Sequence, residues 1–228
     1  MTFRTTLMAA ALGLALTGTA SATVIFDTGN NPQQPGEENI LFGQGTISGP
    51  ALTVTGATQT DNLEVFFTSN ELLVAGANGQ ARVEAVDGSF TDLTFGVTQG
   101  TFGDFILNPD ILNPGGPPVT GTVTVTVNLV GEAPVNYDFA VSSAGNNFLT
   151  ILAQDGERIS SISLASTTDL AFVDLSQPRI STPFSCPPGS TDPLCTGPSP
   201  GTIPEPGVLA LMGLGLAGLA GLRRRKGK

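Results

Sequence analysis

Thr122-Val123-Thr124-Val125-Thr126-Val127-Asn128-Leu129 alternates small polar residues with branched aliphatic ones across eight positions. Successive side chains of a strand point to opposite faces, so Val123, Val125, Val127 and Leu129 share one face and the threonines share the other. The stretch therefore predicts a half-buried strand whose aliphatic side belongs to a core.

Shorter and less regular runs of the same kind flank it on both sides. They fall at Ile40–Ile47, Leu52–Thr58, Leu63–Thr68, Glu71–Ala75, Ala81–Val86, Asp92–Val97, Val135–Val141, Phe148–Ala153, Ile159–Leu164 and Leu170–Leu175. Turn residues separate them, and no 3.6-residue apolar period lasts three turns. Asn78-Gly79 and Asp155-Gly156 suit tight hairpin turns because both residues tolerate positive φ. Asn30–Glu38 and Asn108–Pro118 are rich in Pro and Gly, which predicts surface excursions rather than strand interiors. The pattern predicts an all-β fold, specifically a β-sandwich of the jelly-roll or Ig-like kind. Residues 23–182 are enough for one domain with one core.

Both ends of the chain differ from this middle. Residues 1–22 begin with Arg4 in a short basic region and continue as an apolar run from Leu7 to Leu16. They end in Ala20-Ser-Ala22, the small-residue pattern of a signal-peptide cleavage site. The run is too short to span a bilayer, so the reading is a signal peptide cut after Ala22 and export by the Sec machinery. Residues 183–203 are rich in Pro, Ser and Thr and read as a stalk. They hold the two cysteines of the chain, Cys186 and Cys195. In an exported chain a local disulfide between them is expected, worth about 2.7 kcal/mol on the chain-entropy model.

Charge sorts with these segments. Six of nine basic residues lie in the terminal segments, whereas eighteen of nineteen acids lie between Thr23 and Ile203. Against those eighteen stand only Arg82, Arg158 and Arg179, a net of fifteen negative charges. Such a field opposes nucleic acid and anionic lipid and favours solubility outside the cell.

Residues 204–228 carry three features in order. Pro204-Glu205-Pro206 comes first, then the apolar stretch 207–222 built of Gly, Ala, Leu, Val and Met, then Arg223-Arg-Arg-Lys-Gly-Lys228. Sixteen residues of helix span about 24 Å against a hydrocarbon core of about 30 Å, a marginal transmembrane helix with its basic end cytoplasmic. The two prolines keep Glu205 in extended backbone outside the helix, where a processing enzyme can reach it. This order resembles the PEP-CTERM sorting signal of Gram-negative bacteria. The resemblance implies transient inner-membrane insertion through residues 207–222 and recognition of Pro204, Glu205 and Pro206 by exosortase, a multi-spanning membrane enzyme. Removal of the helix then leaves the protein at the cell surface or in the extracellular matrix. Asn78–Ala85 and Phe172–Ser181 are similar to segments of other secreted PEP-CTERM proteins, and read as framework strands. Pro178 departs from the usual pattern of the second.

The middle domain offers little chemistry. The chain has no His, which removes Ser-His-Asp and Cys-His catalysis and leaves a zinc site without its usual ligands. It has no Trp and one Tyr, Tyr137, which argues against sugar stacking. Thr122, Thr124 and Thr126 make a hydroxyl row on one strand, too little for an ice-binding array. Hard oxygen ligands are available for calcium around Asp104 and Asp110, Asp155 and Glu157, and Asp169 and Asp174, without a recognisable calcium loop. The reading is a non-enzymatic component of the cell surface or exopolysaccharide matrix, with no catalytic residue and no cofactor assigned. A calcium-assisted carbohydrate-binding or adhesion module is the alternative, and an extracellular hydrolase is third.

Overall fold

The computed structural model describes residues 23–32, 36–43, 46–76 and 81–196. Their strands, in chain order, are β1 (Val24–Asp27), β2 (Glu37–Leu41), β3 (Ala51–Thr58), β4 (Glu64–Gly76) and β5 (Arg82–Ala85). Then come β6 (Asp92–Val97), β7 (Gly100–Thr101), β8 (Asp104–Ile111), β9 (Thr120–Leu129) and β10 (Val135–Ser142). β11 (Leu149–Ala153), β12 (Ile159–Ala165), β13 (Phe172–Ser181) and β14 (Phe184–Ser185) follow, with a 3₁₀ turn at Thr168–Leu170 and a short helix α1 at Pro193–Thr196.

The deciding stretch behaves as its alternation requires. Val123, Val125, Val127 and Leu129 of β9 are buried, while Thr122 and Thr124 face solvent. β9 lies between β10 and β12, pairing antiparallel with both. Every named strand pairing is antiparallel, and the larger sheet runs β1-β11-β8-β13-β2-β3-β4-β6-β12-β9-β10. β5 joins it by pairing β13 on one side and β4 on the other.

This sheet folds back on itself. Phe95 of β6 and Phe105 of β8 are separated by four strands along the hydrogen-bonded path, yet their ring centroids are 4.3 Å apart. Phe26 of β1 stacks on Tyr137 of β10 at 4.4 Å and 9°, which joins the two edge strands through their side chains. One core fills the interior, with Phe67, Phe90, Phe95, Phe102, Phe105 and Phe172 as its largest members.

Several expectations change in detail. Asn108–Ile111, read as part of a surface loop, is instead the second half of β8, the most deeply buried of the long strands. Pro109 is tolerated there because its carbonyl, and hence its missing N–H, faces Asn147 beyond the last β11 pairing at Leu107↔Leu149. Leu63–Thr68 and Glu71–Ala75 merge into the single long strand β4. Asp155-Gly156 makes a tight turn with φ of 55° and 83°, closed by Glu157 N–H to the Gln154 carbonyl at 2.9 Å. It joins β11 to β12, which do not pair, so it turns a corner between layers rather than closing a hairpin. Asn78-Gly79 falls outside the described residues.

The segment read as stalk docks, in its first part, on the domain. β14 pairs β7, and Thr101 Oγ1 donates to the Leu194 carbonyl at 2.9 Å. The expected Cys186–Cys195 disulfide is present and ties α1 to the residue that follows β14. Beneath it Arg158 is buried without a carboxylate partner among the described residues, and burial lowers its pKa. Its guanidinium donates to Thr101 Oγ1 at 3.2 Å and to the hydroxyl and carbonyl of Thr182.

Among the described residues no helix is long and apolar enough to cross a membrane. The signal segment with Ala20 and Ala22, the Pro204-Glu205-Pro206 motif and the apolar stretch 207–222 lie outside them.

Two substitutions on neighbouring residues of β9 separate its faces. Val125→Ala removes two buried methyl groups and leaves a cavity, an expected loss of about 2–3 kcal/mol. Thr124→Ala acts on the solvent side and should change stability by roughly 0.5 kcal/mol or less. Chemical denaturation of both variants checks this, and equal losses would refute the assigned faces.

Candidate functional site

The outward face of β8 is where polar side chains become buried. Phe105, Leu107 and Ile111 point into the core, so Asp104, Ile106, Asn108 and Asp110 take the opposite face. Ile106 is fully buried yet lies outside the main core, which shows that this second face is covered too.

The N-terminal segment covers its middle. Asn31 N–H donates to Thr150 Oγ1 at 3.1 Å, and that hydroxyl donates to the Gly29 carbonyl at 2.8 Å. Arg179 of β13 reaches Asn30 Oδ1 at 2.8 Å and Glu37 at 3.3 Å. A second cover is the loop between β10 and β11. Asn147 N–H donates to Asn108 Oδ1 at 2.8 Å, and its Nδ2 donates to the carbonyls of Pro109 and Ser142, each at 2.9 Å. A buried amide with its bonds satisfied in this way fixes the loop in place.

Between that loop and β13 lies an open cleft of about 370 Å³. Its floor is set by register. Asp174 of β13 stands directly opposite Asp110 of β8 on one side and Glu84 of β5 on the other. One step along, Ser176 stands opposite Asn108 and Arg82 in the same way. Directly opposed residues share a face with their Cβ atoms about 5 Å apart, so three acids form one row and Asn, Ser and Arg form the next. Register irregularities on either side of this patch turn β13, so that Phe172 and Ile180 enter the core while Asp174 and Ser176 do not. One of them holds Pro178 beside Gln177, whose φ is 52°, so the proline sits where the ladder is already interrupted.

Arg82 is the cation of the cleft. It contacts Glu84 at 3.0 Å and Asp174 Oδ2 at 3.5 Å. Asp174 is 3% exposed, and its Oδ1 has no hydrogen-bond partner. Burial raises its pKa to about 6; Arg82 opposes that rise, while Asp110 and Glu84 add to it. Asp110 remains exposed at the rim. The cleft lining contains no aromatic side chain.

Asp104, at the far end of β8, is a separate buried acid. It is fully buried, and neither oxygen makes a hydrogen bond of normal geometry. Burial raises its pKa to about 6, and the nearby Glu37 adds to the rise while Ser181 opposes it.

Of the acid pairs considered from sequence, Asp155 and Glu157 lie close together on one tight turn, whereas the other two do not come together. Asp104 and Asp110 occupy opposite ends of β8, facing Ser181 and Asp174. Glu157 accepts the Thr23 N–H at 3.0 Å, away from the cleft. Asp169 lies on the 3₁₀ turn, away from Asp174 on β13. The pairing that forms, Asp110 with Asp174, crosses two strands 64 positions apart in the chain. The period-two set Asp104, Ile106, Asn108 and Asp110 was its available signal, masked by Pro109. Asn78–Ala85 and Phe172–Ser181, read as framework strands, pair with each other through Arg82–Glu84 and Asp174–Ser176, and they also supply Arg82, Asp174, Ser176 and Gln177 to the cleft. No three His, Cys, Asp or Glu side chains converge on one point among the described residues.

The buried acid Asp104 gives a signed pH dependence. Its folded pKa of about 6 exceeds the ordinary 3.8, so the folded state holds the proton more tightly. Its contribution is fully present below pH 3.8 and is lost as pH rises through about 6. Asp104→Asn should therefore raise stability at pH 7 by roughly 1–3 kcal/mol and flatten the fall between pH 4 and 6. Urea midpoints across that range measure it; an unchanged slope would contradict the assignment.

Comparison with known proteins finds a match at the end of the chain. No curated protein matches the chain, and no solved structure matches it. Residues 202–226 match the family model described as the PEP-CTERM protein-sorting motif, so this chain carries a PEP-CTERM motif, which implies exosortase-dependent sorting toward the cell surface.

Proposed function

We propose that the protein is a non-enzymatic component of the cell surface or exopolysaccharide matrix, exported through residues 1–22 and sorted through residues 204–228. The observation that carries this reading is the sorting motif at residues 202–226. In it, Pro204-Glu205-Pro206 is the processing site and residues 207–222 are a temporary membrane helix. A helix of about 24 Å suits a transient address better than a permanent anchor in a core of about 30 Å.

The domain's properties support an extracellular life. Its disulfide suits an oxidising compartment, and its excess of acids over arginines keeps it dispersed. The folded-back sheet, with Phe95 meeting Phe105 across the core, supports the sandwich reading of jelly-roll or Ig-like kind. The cleft favours a binding role over hydrolysis. Its lining lacks an aromatic platform for a sugar ring, and Asp174 is engaged by Arg82 rather than poised beside a nucleophile.

Intact-mass analysis of the protein from its host, with and without exosortase, tests the sorting reading. The expected wild-type species lacks residues 1–22 and 207–228, and loss of exosortase leaves the tail attached in the membrane fraction. A wild-type mature protein that keeps residues 207–228 would overturn it.

A further inference from the structure

We infer that the cleft between Asp110 and Asp174 binds a hard divalent cation of the calcium class, held by both carboxylates together with neutral oxygens of the cleft wall. The site rests on the β domain alone, so its failure would leave the sorting reading untouched.

Three observations point there. The first is charge. Asp110, Asp174 and Glu84 stand side by side across β8, β13 and β5, and Arg82 is their one cationic partner in the cleft. Like charges at directly opposed positions destabilise a sheet, and this row keeps two negative charges in excess. A divalent cation balances that excess. The second is the orphaned oxygen. Asp174 is nine-tenths buried and lines the cleft, and Arg82 engages only its Oδ2, leaving Oδ1 without a partner. A buried carboxylate oxygen left unpaired is costly, and a cation coordinated by that carboxylate removes the cost.

The third is the donor set. The wall adds the side chains of Asn108, Ser143, Asn146 and Ser176, all bearing hard oxygens, and no His or Cys exists in the cleft. Oxygen-only donors in irregular geometry suit calcium, whereas magnesium demands near-ideal octahedra and zinc prefers nitrogen and sulfur. Two carboxylates rather than three place the site in the weak class, with a dissociation constant of about 10⁻⁴–10⁻³ M, matched to extracellular calcium.

Thermal unfolding of the full chain tests this, in EDTA, in about 5 mM CaCl₂, and in NaCl of equal ionic strength. Calcium at roughly ten times its dissociation constant should raise Tm by about 3 °C over the NaCl control. Asp110→Asn, at the exposed rim, should fold normally and lose that shift. Asp174→Asn should also lose it while unfolding at a higher temperature than wild type in EDTA, because the orphaned charge is gone. The proposal fails if calcium shifts wild type no more than NaCl does, or if Asp110→Asn keeps the full calcium shift.

Discussion

The ladder between β8 and β13 is the constraint on which the rest of the domain depends. β13 pairs β8 along one side, while its other side is shared between β5 at Asp174–Ser176 and β2 at Arg179–Ser181. One strand thus serves three partners. It can do so only because its register breaks beside Gln177-Pro178, where the backbone turns and the missing proline N–H interrupts nothing further. A regular ten-residue strand would present one face to the core throughout. β13 instead gives Phe172, Leu175 and Ile180 to the core and reserves Asp174 and Ser176 for the other side.

That arrangement explains why polar residues are buried on this strip. β8 has a strand on each side at its start and a cover over its outer face, so Asp104, Ile106 and Asn108 are enclosed although only alternate residues reach the core. The covers are held by side-chain hydrogen bonds from Arg179, Thr150 and Asn147 rather than by apolar packing. Such bonds contribute modestly when made but leave costly orphans when broken. The strip is therefore well specified without being a second core.

Sequence alternation made β9 legible down to the facing of each valine, because one of its faces meets the core and the other meets water. β8 was illegible for the converse reason. A strand buried on both faces loses the polar–apolar contrast, and Asn108-Pro109 carried a turn signal that local bonding to Asn147 overrides. Asp155-Gly156 was legible as a turn, since its conformation is local, but not as a corner, since the partners of β11 and β12 are distant in sequence. The cleft followed the same logic. Its residue types were visible, whereas the opposition of Asp110 to Asp174 depends on register between strands far apart in the chain. The tail needed no register at all, since its signal is the linear order of three segments, and the sorting motif within it was legible directly.

Charge economy gives the cleft its meaning within so acidic a domain. With eighteen acids and three arginines between Thr23 and Ile203, most carboxylates must stand alone in water, where each costs little. Arginines are scarce, and two of the three, Arg82 and Arg179, are placed on the outer strip of β8, β13 and β5. Even so, their contacts leave Asp110 and the second oxygen of Asp174 uncompensated. The placement sets the scarce arginines beside two acids with buried side chains, Asp174 and Glu37. A fold free to scatter its acids has instead aligned three of them across adjacent strands, at a spacing that hydrogen-bonded β pairing cannot relax. The repulsion is set by the register of the ladder, and either protonation of Asp174, whose burial raises its pKa to about 6, or a counter-charge from outside the chain relieves it.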